Sequence, residues 1–325
     1  MSSPAAADYS RYLAAKKTLD DRSLNRQVWE HLVQAVRERA GAAPLRVLEV
    51  GCGIGTMLER LIDWGLLTRA DYTGIDVDAE LIREAEQRFY SYAVGKGAKM
   101  GSAPPNLLPH GEGEFKGPGQ RAAPLVLRTS DLDIRVSFAV ADLVDFLDAK
   151  QGKSFWDLLV AHAFLDLIDL PTVLPRLLAL LVPGGLFYFT LNFDGATIFE
   201  PIIDPDLDRR IETLYHWTMD TRRYRGRPAG SSITGRRLLS GLKEAGARLL
   251  AAGSSDWVVY PGSKGYPGEE TYFLHYIIDT TGGALLGHPQ LERNRFEAWL
   301  SLRHRQIDAG ELIYIAHQLD VLGYI

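Results

Sequence analysis

With 325 residues the chain can bury a large core, as one elaborated domain or as two. Its 36 Lys and Arg against 41 Asp and Glu leave a net charge of −5, which excludes any general attraction to nucleic acid or to an anionic membrane. One cysteine, Cys52, excludes an internal disulfide framework and fits a reducing cytoplasm, while Met1 to Ala7 lacks the basic region and apolar core of a signal peptide.

Tyr9 to Arg39 reads as helical. Leu24, Val28, Trp29, Leu32, Val33 and Val36 recur at helical spacing, with Ser23 available as a cap. The stretch before them, with Tyr9, Tyr12, Lys16, Lys17, Asp20 and Asp21, is dense in polar and aromatic groups and fits a solvated helix face. Leu45 to Val50 is a short apolar run with the pattern of a parallel strand buried on both faces. It ends in Gly51, Gly53 and Gly55, whose alternate spacing allows a sharp turn and lets a ligand approach bare backbone. From Thr56 the pattern turns helical, with Met57, Leu58, Leu61 and Ile62 on one face, and a helix N-terminus offers free N–H groups to an electron-rich ligand.

A dinucleotide fingerprint needs Gly-x-Gly-x-x-Gly, but here the third glycine comes one position early and Thr56 stands in its place. Glu49, just before the turn, would repel a pyrophosphate and welcome a cation. S-adenosylmethionine carries a sulfonium and an ammonium. The segment Glu49-x-Gly51-x-Gly53-x-Gly55 after a strand resembles motif I of the class I S-adenosylmethionine-dependent methyltransferases. The resemblance implies cofactor contacts at Glu49, Gly51, Cys52, Gly53 and Gly55, and an N-terminal helix that folds over the cofactor, with Tyr12 facing the acceptor. Tyr72 to Val77 is the second strand, and Asp76 stands at its carboxyl end, about 20 residues after the glycines, where an acid accepts hydrogen bonds from a ribose diol. Asp76, with Val77 beside it, fits that family position; Asp78 fits the cap of the helix from Ala79 to about Ala93.

Gly95 to Pro124 is crowded with Gly and Pro and reads as a mobile surface insertion. Leu125 to Leu127 pairs as a hairpin with the third core strand, Ile134 to Val140, across Ser130-Asp131. Asp142 after that strand fits a helix cap; by resemblance it accepts the adenine amino group while Leu143 packs on the ring. Trp156 to Ala161 is the fourth strand. The loop His162-Ala-Phe-Leu-Asp166 leaves the sheet at the end where doubly wound folds bind ligands. Family members often place a substrate or cofactor contact where His162 stands, so His162 is the candidate general base, against the commoner role of structural hydrogen-bonder. The most apolar window, Leu174 to Leu191, is broken by Arg176, Pro183, Gly184 and Gly185 into helix, turn and fifth strand, not a membrane span.

Asn192 lies just past the fifth strand. From Thr197 to Gly230 no core-strand pattern is visible, and Tyr215 and Trp217 mingle with an arginine cluster that either pairs with an anionic group on the substrate or forms a solvated face. By resemblance this segment caps the acceptor, through Asn192, Tyr215 and Trp217. Arg248 to Ala252 with Asp256 to Tyr260 reads as the sixth strand, Tyr272 to Asp279 as the seventh, and Leu291 to Leu322 as a helical tail open to capping the acceptor, packing on the N-terminal helices or forming a homodimer. The expected fold is thus α/β: a seven-stranded doubly wound sheet, mostly parallel with an antiparallel edge strand, plus extra helices at both termini and after strand five. The expected divisions are a helical lid at 1–40, a Rossmann-like core at 41–196 with the insertion at 95–124, an acceptor cap at 197–235, the end of the sheet at 236–282 and a helical extension at 283–325. No metal-ligand spacing is visible. The expected activity is metal-independent methyl transfer from S-adenosylmethionine to a small-molecule acceptor, with no nucleic acid or membrane partner. Binding of the cofactor without transfer, or a nicotinamide-dependent oxidoreductase on the same sheet, are the alternatives.

Overall fold

In the computed structural model, which describes residues 4–39, 41, 43–98 and 124–325, five parallel strands form the centre of one twisted sheet. They are β1 (Leu45–Val50), β2 (Arg69–Asp76), β4 (Asp133–Val140), β5 (Trp156–His162) and β6 (Leu181–Glu200). β3 (Leu125–Arg128) joins antiparallel to β4 at one edge. On the other side β11 (Ile313–Tyr324) runs antiparallel to β6 and carries both β9 (Arg248–Ser254) and β10 (Trp257–Val259) on its far flank. The order is therefore β10-β11-β6-β5-β1-β2-β4-β3, with β9 also on β11.

Period-two alternation sends neighbouring residues to opposite layers. Val47, Leu158, Leu186 and Tyr188 pack under α3 (Arg26–Arg39) and α4 (Thr56–Asp63). Leu48, Leu159, Phe187 and Phe189 face α7 (Leu170–Leu178) and α9 (Thr234–Glu244). β1 pairs with β2 on one side and β5 on the other, so the chain reverses direction across the sheet here, and the carboxyl ends of these strands open a crevice. Three elements close over it: α1 (Pro4–Ala15) with α2 (Lys17–Ser23), α8 (Pro205–Asp220) with the β7–β8 hairpin (Arg223–Tyr224, Arg227–Pro228), and α10 (Glu270–Leu285), which packs on α1 and α11 (Arg293–Asp308).

The hairpin of β3 with β4 lies in the expected register region, Leu125 facing Val136. Several expectations change. The sheet has nine strands among the described residues, not seven. Tyr272 to Asp279 is not a strand but the first half of α10, where Phe273, Leu274, Ile277, Ile278, Thr281 and Leu285 recur at helical spacing on the buried face. The tail is not wholly helical either. Ile313 to Tyr324 largely alternates buried and half-buried positions as β11, and pairs antiparallel with β6. β6 runs on to Glu200, because Thr197 to Glu200 pairs with Ile313 to Ala316. The core of the Gly/Pro-rich insertion, residues 99–123, lies outside the described residues.

Candidate functional site

The turn after β1 is built by positive φ angles at Gly51 (66°), Gly53 (51°) and Gly55 (79°). At Gly51 the conformation is only half the reason for glycine: a Cβ there would stand 2.1 Å from the ring of Phe164, which lies on the bare backbone. Two cavities meet at this turn. One of about 480 Å³ is lined by Ile75, Asp142, Leu143 and the Tyr224–Arg225 tip of the β7–β8 hairpin. The other, of about 520 Å³, runs beneath α1 and is lined by Glu49, Cys52, Gly53 and His162 together with Tyr12, Tyr215 and Tyr276. Gly51, Asp76, Val77, Phe164 and Leu167 line both, so the two cavities adjoin along one shared wall that includes Asp76.

Three carboxylates stand at successive strand ends. Glu49, 1% exposed, accepts a hydrogen bond from the Tyr72 hydroxyl. Burial pushes its carboxyl up to about 8, although that hydrogen bond and the Arg60 charge pull the other way. Asp76 takes the N–H of Gly53 on Oδ2 at 2.9 Å and that of Asp78 on Oδ1 at 3.0 Å, so one side chain sets both the glycine turn and the entry to α5 (Ala79–Gly95). Asp142 caps α6 (Leu143–Ala149) by accepting from Val144 and Asp145, and its second oxygen accepts from the Tyr224 hydroxyl at 2.9 Å. It is thus both a helix cap and a wall of the smaller cavity.

Beneath the larger cavity lies a buried charge cluster. Asp20, fully buried on α2, accepts from Lys16 at 2.8 Å, from Trp257 Nε1 at 3.0 Å and from Arg60 at 3.3 Å. His162 Nε2 lies 3.1 Å from both Arg60 and Asp20, and Nδ1 lies 2.8 Å from Thr190 Oγ1, so in either tautomer both ring nitrogens are engaged within the protein. Burial holds His162 down at about 4, against the opposing hydrogen bond that it makes to Asp20, so the ring is neutral at pH 7. Two non-glycine residues on the cavity wall, Ala163 (φ 50°) and Leu191 (φ 54°), take left-handed backbone conformations. The Leu191 N–H is held by the buried carboxylate of Asp320, on β11, at 2.8 Å.

The His162 shift has a signed consequence. The unfolded chain takes up this proton near pH 6.5 and the folded one only near 4, so the stabilisation is full above 6.5 and is lost as pH falls through 4. In denaturant titrations of the ligand-free protein, the stability gap between wild type and His162→Gln is expected to shrink across that window. A constant gap would contradict it. Asp20 does not confuse the reading: its carboxyl is held far below the usual range by Lys16, His162 and Arg60 against the opposing effect of burial, so its window lies under pH 4.

Of the residues expected at a site, Glu49, Gly51, Cys52, Gly53, Asp76, Val77, His162, Tyr12 and Tyr215 line the larger cavity, and Asp142 and Leu143 the smaller. Gly55 shapes the turn as the residue before α4 without lining either cavity. Two further expected residues lie outside both cavities. Asn192 is buried away from the cavity, where its Nδ2 donates to the Leu319 carbonyl of β11, because β6 continues as a strand past it. Trp217 is 52% exposed on the outer side of α8, edge-on to His288. Within the arginine cluster, Arg225 pairs with Asp145 at 3.1 Å and Arg209 with Asp206 at 3.7 Å, while Arg222 lines the larger cavity and Arg227 the smaller. The sequence pattern gives no sign of Tyr276 or Tyr314, since α10 has the look of a strand and β11 of a helix, nor of Trp257, which a correctly expected strand brings to the wall, nor of Asp166, although it ends the loop that begins at His162. Among the described residues no group of three or more His, Cys, Asp or Glu side chains is placed to hold a metal ion, and no helix is long and apolar enough to cross a membrane.

A protein-family model described as a methyltransferase domain matches residues 22–252. No curated protein sequence matches the chain. Solved structures with a similar fold include an S-adenosylmethionine-dependent methyltransferase of Methanosarcina mazei, at 14% identity and a TM-score of 0.41, covering 88% of this chain and 96% of that one. A geranyl diphosphate C-methyltransferase of Streptomyces coelicolor matches at 10% identity and a TM-score of 0.40, covering 90% of this chain and 78% of the other.

Proposed function

Because the chain belongs to the methyltransferase domain family, a family of S-adenosylmethionine-dependent enzymes, we propose that it moves a methyl group from that donor to a small organic acceptor by metal-independent in-line displacement. The observation that carries the reading is the ring of Glu49, Asp76 and Asp142 around a bare glycine turn, with a second cavity opening beyond it. When bound, the donor supplies an already activated methyl on a cationic sulfur, so the protein's part is chiefly alignment and water exclusion. Asp76 would hold the ribose hydroxyls, Asp142 the adenine amino group with Leu143 on the ring, and Glu49 the cationic methionine arm at the glycine turn. The residues fit such a ligand: among the described residues the buried Glu49 carboxylate accepts a hydrogen bond from the Tyr72 hydroxyl and from no cation, Arg60 acting on it only from a distance.

The N-terminal helices serve in this reading as a lid, since Leu13 stands 3.2 Å from where a Cβ on Gly53 would be, and the 197–235 segment caps the acceptor through Tyr215. His162, with both nitrogens engaged, positions the wall instead of moving a proton. A reducing cytoplasm suits the buried free thiol of Cys52.

Calorimetric titration with S-adenosylmethionine tests the cofactor half, and release of S-adenosylhomocysteine across an acceptor panel tests the transfer; absence of cofactor binding would defeat the reading. A proton should leave as well. At pH 7 the empty site holds Glu49 mostly protonated, and a cation docked beside it favours the carboxylate. The observed binding heat is therefore expected to vary with the ionisation enthalpy of the buffer, and Glu49→Gln to remove that dependence. Equal heats in phosphate and Tris would refute it.

A further inference from the structure

The larger cavity carries one carboxylate, that of Asp166, with a buried oxygen that no hydrogen bond meets among the described residues. Asp166, in the turn Leu165–Leu167 after β5, lies on the cavity wall near Tyr9 and Tyr215, both of whose hydroxyls feel its charge. Its Oδ1 is buried and has no hydrogen-bond partner among the described residues. The other carboxylates on that wall each accept a hydrogen bond: Glu49 from the Tyr72 hydroxyl, Asp76 from the N–H groups of Gly53 and Asp78, and Asp78 from those of Glu80 and Leu81. The nearby cations do not meet Asp166 directly. Lys16 is tied to Asp20 at 2.8 Å, and Arg222, exposed at the mouth, offsets the carboxylate only from a distance. Burial pushes the Asp166 carboxyl up, the sign of a charge left without adequate solvation.

Beside this carboxylate the wall is aromatic. Tyr9, Tyr12, Tyr215 and Tyr276 line the same cavity, where Tyr12 and Tyr276 stack on each other at 4.2 Å and Tyr9 lies 6.0 Å and 6.5 Å from them. A carboxylate oxygen buried without a partner in an aromatic-walled cavity favours a cation, chiefly through direct charge pairing, with the surrounding rings adding to the attraction. We propose that the acceptor presents an ammonium group, and that Asp166 is the residue that selects it. This rests on the methyltransferase reading and narrows its acceptor to organic amines.

The test uses the full chain saturated with S-adenosylhomocysteine and two probes of one shape, 3,3-dimethylbutylamine, protonated at pH 7, and 3,3-dimethylbutanol. The amine is expected to bind about tenfold more tightly than the alcohol. Asp166→Asn should level the two while leaving S-adenosylhomocysteine affinity within about twofold and thermal stability undiminished, since the variant removes a poorly solvated buried charge. Tyr276→Leu should weaken the amine more than the alcohol. Equal or undetectable binding of the amine to wild type overturns the proposal. So does a large loss of S-adenosylhomocysteine affinity in Asp166→Asn, which would give the carboxylate to the cofactor. Failure of wild type to bind S-adenosylhomocysteine at all would instead bring down the methyltransferase reading, and this proposal with it.

Discussion

Replacing Asp76 by alanine is expected to raise the dissociation constant for S-adenosylmethionine at least about a hundredfold in calorimetry. Its carboxylate sits on the wall shared by both cavities, and each oxygen already takes one backbone N–H, from Gly53 and from Asp78. Hydrogen bonds to a charged group contribute about 1.5–3 kcal/mol each, so losing two to a ribose diol costs roughly 3 kcal/mol or more, and each 1.4 kcal/mol is tenfold. Removal also frees the Gly53 N–H, so the turn that cradles the ligand loses its tether. Asp76→Asn, which keeps one acceptor oxygen, should lie between the two. Affinity unchanged in the alanine variant would remove Asp76 from the site.

The second large effect is on stability. Asp20→Ala should destabilise the ligand-free protein by about 3–5 kcal/mol, because it strips the counter-charge from Lys16, whose side chain is 7% exposed, and one of two carboxylates from the fully buried Arg60, which keeps Asp21. Trp257 Nε1 would lose its acceptor as well. The readout is a fall in the denaturation midpoint at constant slope. A loss below about 1 kcal/mol would mean that water reaches the cluster and that it is not buried in solution. The cluster ties α2 to α4, β5 and β10, whereas α1 meets α10 through the stacked rings of Tyr12 and Tyr276.

The cofactor half of the molecule was legible because its signals are local. Glu49, the three glycines and Asp76 lie within one strand-turn-helix-strand unit, where spacing along the chain dictates spacing in space. The acceptor half was not, because its walls come from distant elements whose type is ambiguous. Tyr272 to Asp279 is an aromatic run that satisfies either period, and only its continuation through Thr281 to Leu285 on the same buried face decides for a helix. Leu312, Ile315 and Leu319 fit a helical stripe as well as a strand; pairing with β6 settled the matter. Asn192 and Trp217 were misplaced for a related reason. A residue just past an expected strand end looks available for ligand, but β6 continues and buries Asn192 in its contact with β11. The buried cluster around Asp20 has no sequence signature at all, since Lys16, Asp20, Arg60, His162 and Trp257 are brought together only by the tertiary fold.

The placement of β11 bears on how the protein is made. Four helices and four strands are synthesised between β6 and β11, yet β11 covers the open edge of β6 and contributes Tyr314, Ala316 and Gln318 to the cavity floor. While the nascent chain is still on the ribosome, the long apolar edge of β6 has no partner and is open to strand pairing with neighbouring chains. Productive folding therefore waits on residues 313–324, and a stop codon ahead of Ile313 should yield insoluble protein, not a weakened enzyme.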